Sequence, residues 1–169
     1  FYVNGPGLQG NNDFHGNDGN DRFEVSAGNG IAGNSLDLTG DSGGGDMVIF
    51  NGRTGDEAAT LRYGLGSLGE RMEGLGQTVR FDTIETVVYD GLTGSNQLSL
   101  IDDTNRSYGS ADDAISGVVY RPRSANSGDV RFNGRNSLSE TPDLYFQNVN
   151  AAFTINGDGN GTGAKAPRP

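Results

Sequence analysis

The stretches "FNGRTGDEAATL" (50–61) and "YDGLTGSNQLSL" (89–100) decide how this chain is read. Each runs aromatic, Asn or Asp, Gly, any residue, Thr, Gly, two polar residues, two fillers, Ser or Thr, Leu, without a gap. An apolar residue followed by Asx-Gly ends a strand in a turn, because Gly takes positive φ and Asn or Asp tolerates it. The same step recurs as "VNG" (3–5), "FNG" (132–134) and "ING" (155–157). A second echo links "FDTIETVVYDG" (81–91) to "FQNVNAAFTING" (146–157), with one residue inserted. The repeated unit is strand, short apolar step, strand, Asx-Gly turn, strand. Its copies are unevenly spaced, 47, 39 and 66 residues apart from Val3 through Phe50 and Tyr89 to Ile155.

Composition narrows the choice further. Of 169 residues, 29 are Gly and only 33% are hydrophobic. Each interior Gly costs a helix about 1 kcal/mol relative to Ala, so long helices are excluded. Eleven short runs rich in Val, Phe, Tyr, Ile and Leu read as strands: 22–25, 35–38, 47–50, 59–63, 78–81, 86–89, 97–101, 117–120, 129–132, 143–146 and 152–155. Residues 64–77, "GLGSLGERMEGLGQ", carry Leu65, Leu68, Met72 and Leu75 at near-helical spacing, but their glycines favour a loop. The expected class is all-β, as a right-handed parallel β-helix or β-solenoid with irregular loops. An antiparallel β-sandwich joined by Asn-Gly hairpins is the alternative. Residues 1–163 read as one repeat-built domain, with turns over 7–60 and further units over 78–101 and 117–157. Residues 164–169 read as a linker.

Net charge is −10, from 16 Asp and 6 Glu against 11 Arg and one Lys. Asp in excess over Glu suits turns and hard-cation ligation. An acidic surface repels phosphate backbones, so nucleic acid is a poor partner. There is no Cys, which removes disulfides and thiolate metal sites. No run reaches the length of a membrane span.

The chemistry-bearing frame is Gly-x-x-Gly-x-Asp/Asn-x-hydrophobic-x. It occurs as "GLQGNNDFH" (7–15), abutting "GNDGNDRFE" (16–24), then as "DSGGGDMVI" (41–49), "GRTGDEAAT" (52–60) and "GLTGSNQLS" (91–99). This resembles the calcium-binding nonapeptide G-G-x-G-x-D-x-U-x of repeats-in-toxin (RTX) proteins. The resemblance covers about half the chain, and only Asp21 and Asp46 keep the motif Asp. It implies turns that hold Ca²⁺ on carboxylates and backbone carbonyls, with the next-but-one residue entering the core. The residues it marks are Asp18, Asp21, Asp46, Asn12 and Asn96, shaped by Gly16, Gly19, Gly44 and Gly94. Polar Asx turns without an ion are the alternative. The overall texture resembles repeat regions of very large surface proteins of marine bacteria such as planctomycetes.

Other groups carry weaker signals. His15, the only histidine, has no partner marked by spacing. Asp102, Asp103, Asp112 and Asp113 are solvated loop acids or an auxiliary cation site. Residues 156–163, "NGDGNGTG", resemble another calcium turn. Arg121, Arg123, Arg131 and Arg135 lie close in sequence; they suit carboxylated or sulfated glycans, or balance nearby Asp on an acidic protein. No Ser-His-Asp or zinc spacing occurs. The expected function is a non-enzymatic, Ca²⁺-stabilised structural or adhesive module at a bacterial cell surface or outside the cell. Its partners would be neighbouring modules or identical subunits, and glycans. A β-helix lyase or epimerase, or a binding module, acting on acidic polysaccharide is the alternative. A groove joining Arg121, Arg123 and Arg131 to a carboxylate would favour it.

Overall fold

The computed structural model describes residues 2–3, 11–27, 35–63, 70–102, 117–133 and 142–156. Fourteen strands are present among them: β1 (Tyr2–Val3), β2 (Asn12–His15), β3 (Arg22–Ser26), β4 (Ser35–Thr39), β5 (Met47–Asn51), β6 (Glu57–Tyr63), β7 (Glu70–Glu73), β8 (Thr78–Asp82), β9 (Thr86–Asp90), β10 (Asn96–Asp102), β11 (Gly117–Ser124), β12 (Ser127–Asn133), β13 (Asp143–Gln147) and β14 (Ala152–Asn156). The described residues form no helix. No helix long and apolar enough to cross a membrane exists among them.

The strands form two mixed sheets, neither closed into a barrel. The first has the order β1-β3-β5-β9-β13-β12-β11, and the second β14-β10-β6-β7-β8-β4-β2. The chain crosses from one sheet to the other at nearly every turn. Parallel neighbours dominate, and antiparallel pairing is confined to β6–β7–β8 and β11–β12–β13. A purely antiparallel arrangement is therefore excluded.

Alternation explains why these residues form strands. In β3, Phe23 and Val25 point inward while Arg22, Glu24 and Ser26 point out; β5 and β9 repeat this with Val48, Phe50, Val87 and Tyr89. Parallel register stacks the inward residues into rungs: Phe23 on Val48 on Val87 on Leu144, and Val25 on Phe50 on Tyr89 on Phe146. The second sheet supplies Leu36, Leu38, Val79, Phe81, Met72, Leu61, Leu98 and Leu100 to the same core. Phe50 and Phe81 meet across it with ring centroids 6.0 Å apart.

The two twelve-residue echoes lie rung on rung. Phe50 pairs with Tyr89, Glu57 with Asn96 and Leu61 with Leu100, all at the 39-residue offset of the sequence repeat. The other echo does not stack. Residues 81–91 run from the second sheet to the first, and 146–156 from the first to the second. They share a corner shape: Thr83 and Asn148 take positive φ (54° and 59°), each followed by a buried apolar residue, Ile84 and Val149.

The segment 64–77 departs from the sequence reading. Residues 70–73 form β7, wedged antiparallel between β6 and β8 with Met72 in the core. Burial of Met72 and Leu75 overrides the glycine signal. Residues 64–69 lie outside the described residues.

Candidate functional site

The chain passes between sheets at two corners. At the entry corner, from second sheet to first, turns 16–21, 40–46 and 83–85 stack. At the exit corner, from first sheet to second, turns 52–56, 91–95 and 148–151 stack. The frame Gly-x-x-Gly-x-Asp/Glu/Asn is the corner itself: 16–21, 52–57 and 91–96 fit it directly. Its second glycine takes positive φ, at Gly19 (122°), Gly55 (138°) and Gly94 (116°), which a side chain would strain. Turn 40–46 holds one residue more. Its left-handed glycine is Gly45 (130°), and Gly44 meets nothing within 4 Å.

The last residue of each turn folds back under the first glycine. A Cβ on Gly16 would lie 2.6 Å from Asp21 Oδ2, and one on Gly91 would lie 2.8 Å from Asn96 Nδ2. On Gly40 and Gly52 it would overlap Asp46 Oδ2 and Glu57 Oε2. Two residues on, Phe23, Val48, Ala59 and Leu98 enter the core as the motif requires.

Each turn also caps its neighbour. Asp21 N donates to Asp46 Oδ1 (2.7 Å), and Asp46 N donates to Glu85 Oε2 (2.5 Å). Met47 N donates to Asp21 O, Glu85 N to Asp46 O and Asp143 N to Glu85 O, at 2.8–3.0 Å. Across the molecule, Ser95 N donates to Asp56 Oδ1 and Asn96 N to Asn150 Oδ1, both at 2.8 Å. Asp90 lies beneath this corner. Burial pushes its carboxyl up, but hydrogen bonds from Asn148, Leu92 N and Gln147 outweigh it and hold the carboxyl below its ordinary range.

The four folded-under side chains differ in whether their inner atom is satisfied. Asn96 Nδ2 donates to Gly91 O (2.6 Å) and Asn148 O (3.2 Å). Glu57 Oε2 accepts from the buried Tyr89 hydroxyl at 3.1 Å, and its Oε1 from Arg53 Nε at 3.4 Å. Burial, then the Glu57 carboxylate, pushes the Tyr89 phenol far above its ordinary range. Asp21 Oδ2, Asp46 Oδ2 and Asn96 Oδ1 are all buried without a hydrogen-bond partner, but only the first two are carboxylate oxygens. Asp46 is fully buried. Its Oδ2 occupies the position that Asn96 Nδ2 holds at the exit corner. A Cβ on Gly40 would overlap both this oxygen and Thr83 O, the counterpart of Asn148 O. Where the exit corner has an amide nitrogen bonded to a carbonyl, the entry corner has a carboxylate oxygen without a donor. A buried carboxylate oxygen without a donor is costly, and a cation would satisfy it.

The residues marked by the motif therefore divide. Asp18, Asp21 and Asp46 come together at the entry corner with Gly16, Gly19 and Gly44. Asp18 is exposed, bridges to Ser42 in the next turn, and accepts a hydrogen bond from its hydroxyl. Asn96 and Gly94 lie at the exit corner. Asn12 lies in β2, paired with Leu36, and not in a turn. Glu85, which closes the Asp21–Asp46 ladder, was outside the motif; its only signal was its place just ahead of "TVVY". No group of three or more His, Asp or Glu poised for a metal occurs among the described residues. Asp103, Asp112, Asp113 and residues 157–163 lie outside the described residues.

His15 is not isolated. Its Nδ1 faces Asp41 Oδ2 at 3.0 Å, and its Nε2 faces Asp13 Oδ2 at 3.2 Å. The hydrogen bond to Asp41 and then that to Asp13 raise its pKa. Comparison of the chain with protein-family models, curated proteins and solved structures gave no match.

Proposed function

We propose that this chain is a non-catalytic module of a bacterial extracellular or surface protein, built as a β-solenoid and stabilised by Ca²⁺ at its entry corner. One observation carries the cation: the carboxylate oxygens Asp46 Oδ2 and Asp21 Oδ2 are buried without a donor. The solenoid reading is supported by the register of the echoes, in which each circuit of the chain lies on the one before. Two carboxylate oxygens and one carbonyl are fewer than the six to eight oxygens Ca²⁺ takes, so water would complete the shell and binding would be weak. When bound, the ion supplies positive charge between stacked turns. Asp46 and Asp21 would hold it; at the exit corner the inner oxygen of Glu57 is already bonded to Tyr89. Neighbouring modules or further subunits would continue the stack at its ends.

The test is thermal unfolding by circular dichroism in calcium, in magnesium and in excess chelator. A calcium-specific rise in Tm is expected. An identical cooperative melt in all three would sink the cation reading and leave a stack held by its core alone.

A further inference from the structure

A cluster of arginines lies away from both corners, on the outward face of β11, β12 and β13. Tyr145, Asp129 and Arg121 are in register across those strands and share that face. Asp129 is 1% exposed, yet it is a carboxylate on an outward position. Arg123 Nε donates to its Oδ1 at 2.7 Å, and Arg131 Nε stands 3.5 Å from its Oδ2. Arg131 Nη2 donates to the Tyr145 hydroxyl at 3.2 Å, and the Arg123 guanidinium lies 6.0 Å from the Tyr145 ring centroid.

Arg123 is thus held by Nε, and Arg131 by Nη2 on Tyr145, its own Nε making no hydrogen bond. The terminal nitrogens of Arg123, and Nη1 of Arg131, make no hydrogen bond among the described residues. Arg123 and Arg131 are 60% and 41% exposed. Arg121, also exposed, makes no ion pair among the described residues. Among the described residues, three guanidiniums share this face with two carboxylates, Asp129 and the more distant Asp143, 4.0 Å from Arg131. A chain of net charge −10 here keeps a local positive excess, with its forks pre-aimed by a buried acid.

We propose that this cluster binds the carboxylate or sulfate groups of an acidic saccharide, with Arg123 and Arg131 as the fork, Arg121 as a third contact and Asp129 as the positioning residue. Arg123, anchored by Nε, leaves its terminal N–H pair for bidentate recognition of a planar anion, and Arg131 adds Nη1 beside it. Beside the fork, Tyr145, Val88 and Ile49 form one outward row across β13, β9 and β5. That half-buried strip suits the C–H face of a sugar ring. A polymer with one charge per ring meets less repulsion from the acidic remainder than a phosphodiester duplex with about one charge per 1.7 Å. The site is independent of the entry corner and needs no metal.

Titration calorimetry tests it with a polygalacturonate oligomer, a sulfated oligosaccharide, an uncharged oligosaccharide and poly-glutamate, all in chelator. At least one acidic saccharide should bind about tenfold or more tighter than the uncharged one and poly-glutamate. The double variant Arg123→Lys/Arg131→Lys keeps both charges on Asp129 but loses the fork, so affinity should fall about tenfold with Tm unchanged. Arg121→Gln, on an exposed unpaired side chain, should lose affinity about threefold. No binding by the wild type, equal binding of poly-glutamate or the uncharged sugar, or unaltered affinity in both variants would overturn the proposal. Binding that appears only when calcium replaces chelator would also overturn it, because the acidic turns would then be bridging the sugar.

Discussion

Replacing Asp46 by Asn separates the two consequences of the entry corner. In the wild type, Oδ1 is used by Asp21 N while Oδ2 is buried without a donor, and a Cβ on Gly40 would overlap both Oδ2 and Thr83 O. An Asn there keeps the acceptor and places an N–H₂ where Asn96 has one at the exit corner, bonded to Asn148 O at 3.2 Å. Relieving one buried unsatisfied oxygen is worth about 1–3 kcal/mol, and the new hydrogen bond about 1 kcal/mol. Allowing for imperfect geometry, the variant should gain about 2 kcal/mol in chelator. For a domain of this size that is a rise of about 4–8 °C in Tm. Calcium should reverse the order. A site filled at about one hundred times Kd stabilises the wild type by about 2.7 kcal/mol, and the variant loses most of that. Paired melts of both proteins, in chelator and in calcium, read the inversion directly. A variant less stable than wild type in chelator would refute the reasoning, since Oδ2 would then not be an unrelieved oxygen.

Glycine positions follow the same geometry. Gly40→Ala drives a methyl into the backbone carbonyl of Thr83 and should cost about 3 kcal/mol or more, whereas Gly44→Ala meets nothing within 4 Å and should change Tm little, by about 0.5 kcal/mol at most; denaturant melts compare them. Tyr89→Phe removes the donor to Glu57 Oε2 and should cost about 1–3 kcal/mol. The phenol is raised above its unfolded value near 10, so its contribution is complete below that pH and is lost as pH rises further; alkaline absorbance titration should leave one tyrosine un-ionised until the fold gives way. His15 is also raised, so its contribution is full below its unfolded value of about 6.5 and fades as pH climbs through the folded one. Tm should therefore fall between mildly acid and mildly alkaline buffer, and His15→Gln should flatten that slope.

The eleven strands read from composition all form, because each carries its own period-two pattern and Asx or Gly boundaries. The stacking of 50–61 on 89–100 was legible for the same reason: a gapless echo keeps every rung in phase, from Phe50 on Tyr89 to Leu61 on Leu100. β2 and β7 were hidden by their polar residues. Asn12, Asp13 and His15 read as turn, and "ERME" read as loop, until neighbours on either side made them strands. The site was half legible. Spacing found Asp21 and Asp46, but it could not show that their side chains turn inward beneath Gly16 and Gly40. Nor could it separate Asp46 from Asn96, which hold the same motif position with opposite hydrogen-bonding capacity. Arg123 and Arg131 looked like loose charge balance; only the antiparallel pairing of β11, β12 and β13 brings them onto Asp129.

The extra strands also constrain how a stack could continue. β6, β7 and β8 add three strands within one circuit, and an odd number leaves β6 and β8 running the same way, so parallel pairing resumes on both sides. β11 and β12 do something else. They extend the first sheet past β13, and the outer strand β11 carries Pro122, a register shift between Pro122 and Ser124, and the exposed Arg121 and Arg123. Each of these discourages edge pairing. The second sheet ends at β14, "AFTIN", which has no charge, no Pro and an Ile155 that is 40% exposed. A neighbour that adds to this end should therefore join through β14 and not through β11. Ile155→Lys should abolish any concentration-dependent association seen by sedimentation velocity while leaving Tm unchanged, because a Lys on an edge strand opposes pairing at little cost to the monomer. Arg121→Glu should leave association intact. The reverse pattern, association lost in Arg121→Glu and kept in Ile155→Lys, would show that the first sheet is the joining edge.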